Sequence, residues 1–282
     1  MLKKIILGTA NLNQLYGFKN ISIKRADYKK IFKFNLFFNN SLDTAISYNQ
    51  SLKIIKKYSY YKPRIYSKLP CIFKNKINSK NFDEIINKHL VELNCKKIYS
   101  LSFHSPENLK KKEGIQIYKK LLILKKKKLI KNIGISINFI DDLKILKKFK
   151  FDLIQLPLNI FDQRFSNNKI QKFFLKKKIK VQIRSIFLQG TLLEKKTPYN
   201  LIKYTKFFNN FAVFCKKTKK SQLYHCINFI KNYKKVDSVV VGISNLQEFK
   251  DLKKQFLLKR GNYNYSQFKN DDLKLIAPKK WK

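Results

Sequence analysis

The chain has 282 residues, 44% hydrophobic and 14% aromatic, with 63 Lys and Arg against 17 Asp and Glu. That much apolar side chain excludes a disordered polymer, and the length suffices for one large α/β barrel domain spanning 1–282. No apolar run approaches the roughly 18 residues of a membrane span.

The opening, MLKKIILGTANL, begins basic, but its apolar stretch is too short for a signal peptide. A soluble, cytoplasmic protein with no membrane partner is expected. The net charge of +46 invites a nucleic-acid reading, because lysines can neutralise phosphates. Only Arg25, Arg64, Arg164, Arg184 and Arg260 are arginines, however, and Arg is the residue suited to bidentate phosphate and base contacts. The lysines are spread along the whole chain rather than gathered in a stripe. Lys, Asn, Ile, Phe and Tyr also share AT-rich codons, so genome composition suffices to explain the charge. Cys71, Cys95, Cys215 and Cys226 are scattered without a CxxC pair, and neither a disulfide framework nor a metal site is expected.

Short apolar runs alternate with longer segments of helical period. In chain order the runs are KKIILG (3–8), SLDTA (41–45), RIYSK (64–68) and IYSLSFH (98–104). They continue with IKNIGIS (130–136), FDLIQLP (151–157), IKVQIRS (179–185) and DSVVVGI (237–243). Such near-continuous Ile, Val and Leu content suits parallel strands covered on both faces. Between them Ile85, Ile86, Leu90 and Leu93 share a helical face, as do Ile117, Leu121 and Leu124. Leu143, Leu146 and Phe149 repeat the spacing, as do Leu246, Phe249, Leu252 and Phe256. Eight strands each followed by a helix predict a single-domain (β/α)8 barrel. An open doubly wound sheet would carry a Gly-rich phosphate turn after its first strand, and no GxGxxG is present.

A barrel places its chemistry at the carboxyl ends of its strands. Those ends read Asp43, Lys68, His104, Ser136, Gln155, Ser185 and Gly242, with Tyr48 in the loop five residues beyond Asp43. Each has a plainer reading. Asp43 could cap the next helix, Lys68 could be one more solvated lysine, and His104 could end its strand with a local hydrogen bond. His89, on the Ile85/Leu90 helix face, reads as a core or interface residue.

Taken together, Asp43, Tyr48, Lys68 and His104 resemble the catalytic tetrad of the aldo/keto reductases. The surrounding segments strengthen the likeness: LGTA (7–10), YG (16–17), LDTA (42–45), FHSPENL (103–109) and IGIS (133–136). IQLPLNIFDQR (154–164), RSIFLQGTLL (184–193) and VVVGIS (239–244) extend it to about residue 255. The nearest likeness is to bacterial members with QxPxNxFDxR and RSxFLQG segments. The resemblance implies an NAD(P)H-dependent reductase of aldehydes or ketones. Asp43 would pair with Lys68, whose ammonium would draw the Tyr48 phenol down from its ordinary pKa of about 10. Tyr48 would then protonate the carbonyl oxygen, with His104 hydrogen-bonded to that oxygen. Ser136 and Gln155 would hold the nicotinamide carboxamide, Ser185 would line the path to the pyrophosphate, and Gly242 and Ser244 would meet the adenosine phosphates.

Three features depart from the family pattern. Tyr48 is followed by Asn49 rather than Gly, and Ser136 by Ile137 rather than Asn. Glu248 stands in the region where some members use an Arg for the 2′-phosphate, although Lys250, Lys253 and Lys254 lie nearby. The resemblance favours NADP(H), with NAD(H) as the alternative. Two other functions compete: a cofactor-binding barrel without efficient turnover, and a polycation acting on nucleic acid or acidic polymers. The complete tetrad speaks against the first, and the dispersed lysines against the second. The expected partner is a small carbonyl compound, with a sugar-derived carbonyl as one candidate, and no specific nucleic acid. The mouth loops around 70–80, 105–113 and 190–200 carry no specificity signature, and the oligomeric state is not encoded legibly.

Overall fold

The computed structural model describes residues 4–12, 15, 17–19, 21–72 and 77–281. Tyr16, from the YG pair, and residues 73–76 of the 70–80 loop lie outside the described residues. The strands are β1 (Lys4–Gly8), β2 (Ser41–Asp43), β3 (Arg64–Lys68) and β4 (Ile98–Phe103), followed by β5 (Ile130–Ser136), β6 (Leu153–Pro157), β7 (Lys180–Arg184) and β8 (Ser238–Val241). They close into one barrel in sequence order, every neighbouring pair parallel. The fold is therefore the (β/α)8 barrel that the alternation of runs predicts.

The two faces of these strands differ in kind. Asp43 on β2 and Gln155 on β6 stand on opposite sides of the ring, yet Gln155 Nε2 donates to Asp43 Oδ1 at 2.9 Å. Both side chains must therefore point to the barrel axis. Alternation along each strand then turns Leu42, Ile154, Leu156, Val181 and Ile183 outward, where all are buried in the main hydrophobic cluster. Ile6, Tyr66 and Leu153 form a second, smaller cluster among themselves, linking β1, β3 and β6 through the interior.

Helices cover the outward face. They are α1 (Tyr28–Phe38), α2 (Asn49–Lys57), α3 (Phe82–Leu93), α4 (Lys112–Lys126) and α5 (Asn168–Lys176). Two helices, α6 (Thr205–Lys217) and α7 (Gln222–Asn232), follow β7, and α8 (Leu246–Leu257) and the short α9 (Leu273–Ile276) follow β8. The apolar stripes read from sequence are the packed ones: Ile86 and Leu93 on α3, Ile117, Leu121 and Leu124 on α4, and Phe249, Leu252 and Phe256 on α8 are buried. Each such side chain removed from water contributes about 1.5–3 kcal/mol. His89 is wholly buried on α3, with Nε2 2.8 Å from Ser67 Oγ on β3, so it serves the core.

One element differs from expectation. The Leu143/Leu146/Phe149 stripe predicts an α-helix after β5, but the chain forms a 3-10 helix over Ile140–Lys147 and Phe149 lies beyond it. The reason is reach. A 3-10 helix rises about 2.0 Å per residue against 1.5 Å for an α-helix, so this short connection descends the barrel with fewer residues. Asp142 Oδ2 fixes its start by accepting from the N–H groups of Asn138 and Phe139, at 2.7 and 2.9 Å. No helix among the described residues is long and apolar enough to cross a membrane.

Candidate active site

Asp43 and Lys68 end strands β2 and β3 with their side chains inward, 7% and 5% exposed. Lys68 Nζ lies 2.5 Å from Asp43 Oδ2, an ion pair buried at the carboxyl end of the barrel. Two lone charges there would each cost several kcal/mol of desolvation; paired, each offsets the other. The capping alternative for Asp43 does not hold, because α2 begins six residues later and Tyr48 occupies its N-cap. The free lysine alternative for Lys68 fails on the same ion pair.

A polar chain continues from this pair across the interior. Gln155 Nε2 donates to Asp43 Oδ1 and to Gln182 Oε1 at 2.5 Å, and Gln182 Nε2 donates to Ser238 Oγ at 3.4 Å. Gln155 Oε1 accepts no bond from the described residues, which leaves it able to take a ligand N–H. Gln182 and Ser238 were absent from the sequence-derived site. Period-2 alternation could have found Gln182, which shares a strand face with Arg184 and Lys180, but not Ser238, which begins the unbroken apolar run SVVV.

Above this floor opens a cavity of about 940 Å³, within the range of small-molecule and cofactor sites. All nine residues singled out in the sequence line it: Asp43, Tyr48, Lys68, His104, Ser136, Gln155, Ser185, Gly242 and Ser244. Tyr48 and His104 are half-buried on its wall. The peptide N–H of Tyr48 donates to Ala45 O at 3.0 Å, closing a turn between β2 and α2. After His104, Ser105 caps a 3-10 turn by accepting from Glu107 N–H, with Pro106 at its first position.

Ser185 is placed by backbone strain. It has φ of 60°, and Leu188, Gln189 and Gly190 are left-handed as well, an arrangement bulky side chains disfavour. Asn159 Nδ2, bonded to Ser185 O at 3.1 Å, helps hold the turn. Two of the five arginines also line the cavity. Arg164 forks onto the buried Asp162 at 2.8 and 2.7 Å, tying down its loop, while Arg184 Nη2 donates to Asn138 Oδ1 at 2.6 Å. Among the described residues no group of His, Cys, Asp and Glu could hold a metal ion, and all four cysteines are free thiols.

The architecture and this cavity define a (β/α)8 barrel with a buried lysine–carboxylate pair at the carboxyl ends of its strands. A sequence profile of the Aldo/keto reductase family matches residues 4–269, and the chain belongs to that family of oxidoreductases acting on carbonyl compounds. Solved structures agree on the fold. An aldo-keto reductase from Bacillus halodurans, in holo form, superposes with a TM-score of 0.74 at 16% identity, covering 94% of this chain and 90% of that one. A glycerol dehydrogenase from Gluconobacter oxydans gives 0.69 at 17%, covering 93% and 89%. No curated protein matches the sequence itself.

Proposed function

We propose that the whole chain acts as one catalytic unit that reduces an aldehyde or ketone to an alcohol, with a nicotinamide dinucleotide as co-substrate. The observation that carries this reading is the buried Asp43–Lys68 pair on the floor of a cavity that Tyr48 and His104 also line. The residues present fit such a cofactor. Ser136 and the free Oε1 of Gln155 offer polar contacts for a carboxamide, and the other end of the cavity opens at Gly242, Ser244 and the start of α8. Gly242 has no atom within 4 Å of the place a Cβ would take, so the backbone there is open to a ligand.

The bound nicotinamide supplies the hydride that becomes the new C–H bond. The protein supplies the rest. Tyr48 Oη gives its proton to the carbonyl oxygen as the C=O π bond breaks, and the phenolate left behind is stabilised by the Lys68 ammonium. Asp43 pairs with Lys68 inside the barrel and holds its Nζ in place, and Gln155 in turn fixes Asp43 through Oδ1. His104 hydrogen-bonds the substrate oxygen where negative charge develops. Solvent returns the proton to Tyr48, and the reverse sequence oxidises an alcohol. A sugar-derived carbonyl is the substrate class we favour, in keeping with the glycerol dehydrogenase among the structural neighbours.

Replacing Tyr48 tests the assignment. Tyr48→Phe should lower turnover by about 10²–10⁴-fold, the usual worth of a general acid, and leave the cofactor dissociation constant unchanged. Unaltered turnover would remove Tyr48 from the role. A wild-type protein that binds cofactor but reduces no carbonyl in a broad aldehyde and ketone panel would instead favour a barrel without efficient turnover.

A further inference from the structure

Resting on that reading, we infer that the cavity takes NAD(H) in preference to NADP(H), with Glu248 and Asp251 as the determinants. The two carboxylates lie three residues apart in the first half of α8, so they share a helical face, and both line the cavity beside Gly242 and Ser244. They modify the end of a cavity already described and do not constitute a separate site.

Glu248 is held in place from two directions. Its Oε2 accepts from Ser244 N–H at 2.6 Å, and its own N–H donates to Asn245 Oδ1 at 2.9 Å, a reciprocal cap on α8. A helix N-terminus ordinarily offers its free N–H groups and positive dipole end to a phosphate. Here the chain's own carboxylate already occupies the Ser244 N–H. Asp251 Oδ1 accepts from the neutral Gln247 amide at 3.0 Å. Neither acid belongs to an ion pair among the described residues, although the chain holds 63 cations for 17 acids.

The nearby lysines do not reverse the balance. Lys253 Nζ sits over the rings of Phe34 and Phe38 at 5.2 and 5.4 Å, turned toward α1, and Lys250 and Lys254 do not line the cavity. Of the cavity's cations, Lys19 pairs with Glu194, Lys68 with Asp43 and Arg164 with Asp162, while Arg184 donates to Asn138 and Ser185. Among the described residues, Lys280, on the C-terminal turn, is the remaining lining cation. A carboxylate accepts hydrogen bonds from ribose hydroxyls, and it repels a 2′-phosphate of like charge.

Calorimetric titration of the purified full chain with NADH, NADPH and ATP tests this, in salt sufficient to screen the field of the +46 charge. NADH is expected to bind at least about tenfold more tightly than NADPH, and both above ATP. The double variant Glu248→Gln/Asp251→Asn keeps the acceptor that caps α8 and should narrow the ratio by tightening NADPH. Equal or tighter NADPH binding by the wild type overturns the inference and points to Lys280 as a phosphate partner. An unchanged ratio in the variant overturns it too. Failure of both dinucleotides to saturate sinks the reductase reading and this inference together, whereas the first two outcomes leave the reductase reading standing.

Discussion

The same eight strands present two unlike surfaces, and their difference explains how a stable barrel can carry charged chemistry. Facing the helices, Leu42, Ile154, Val181, Ile183 and Val239 join one continuous apolar cluster. Facing the axis, Asp43, Lys68, Gln155, Gln182 and Ser238 form a hydrogen-bonded chain, and apolar packing shrinks to Ile6, Tyr66 and Leu153 with their neighbours. Stability is concentrated in the outer layer, where area is buried. The inner face stays polar because these buried groups bond one another across the barrel interior. Perturbing one face should therefore read out differently from perturbing the other.

The largest effect should come from breaking the inner ion pair. Lys68→Met leaves Asp43 charged and buried without its cation, and the expected loss is roughly 3–5 kcal/mol in denaturant unfolding. Adding Asp43→Leu should recover most of it, since Gln155 Nε2 retains Gln182 Oε1 and two desolvated charges are gone. Both proteins should be inactive. A double variant as unstable as the single one would mean the pair is a net stabiliser, against the division drawn between the faces.

Next in size is a pH effect from the outer layer. Burial lowers the pKa of His89 from 6.5 to about 4, so the folded protein favours the neutral ring. His89 therefore supports the fold fully above pH 6.5, and that support is lost as pH falls from 6.5 toward 4. The shift corresponds to about 3 kcal/mol. His225, bonded to Tyr265 and Thr218 and likewise lowered to about 4 by burial and Lys220, should act in the same window. Unfolding free energies measured from pH 7 to pH 4 should fall accordingly, and His89→Gln should flatten the profile. A variant whose profile keeps the wild-type slope would remove His89 as a cause.

The outer face was the legible one. The segments RIYSK and IKNIGIS coincide with β3 and β5, and the stripes of α3, α4 and α8 are those that pack. Both follow from local period, which tertiary context only confirms. The inner face was half legible. Asp43, Lys68 and Gln155 stood out as polar residues at strand ends, but Gln182 and Ser238 sit inside runs taken to be covered by apolar contacts on both sides. What hides them is the assumption that a barrel interior is as apolar as its exterior. Glu248 was conspicuous in sequence as an acid in place of an expected Arg. Its bond to Ser244 N–H, and the company of Asp251, depend on how α8 leaves β8 and could not be read from spacing.

The finest test compares two adjacent residues on one strand. Gln182 and Ile183 are both buried on β7, one inward and one outward. Ile183→Val removes a methylene from the outer cluster and should cost about 0.5–1.5 kcal/mol, with cofactor affinity unchanged. Gln182→Met has similar volume but deprives Gln155 Nε2 of one of its two acceptors and Ser238 Oγ of a donor. Its stability cost should be comparable, about 1 kcal/mol. Gln155, however, would then be held by Asp43 alone, so reduced-cofactor affinity should weaken several-fold and KM for the cofactor should rise more than kcat falls. Equal stability losses with unequal binding would locate cofactor positioning on the inner face. Identical binding in the two variants would mean that Asp43 orients Gln155 without help, and that the polar chain beyond it serves only to satisfy buried groups.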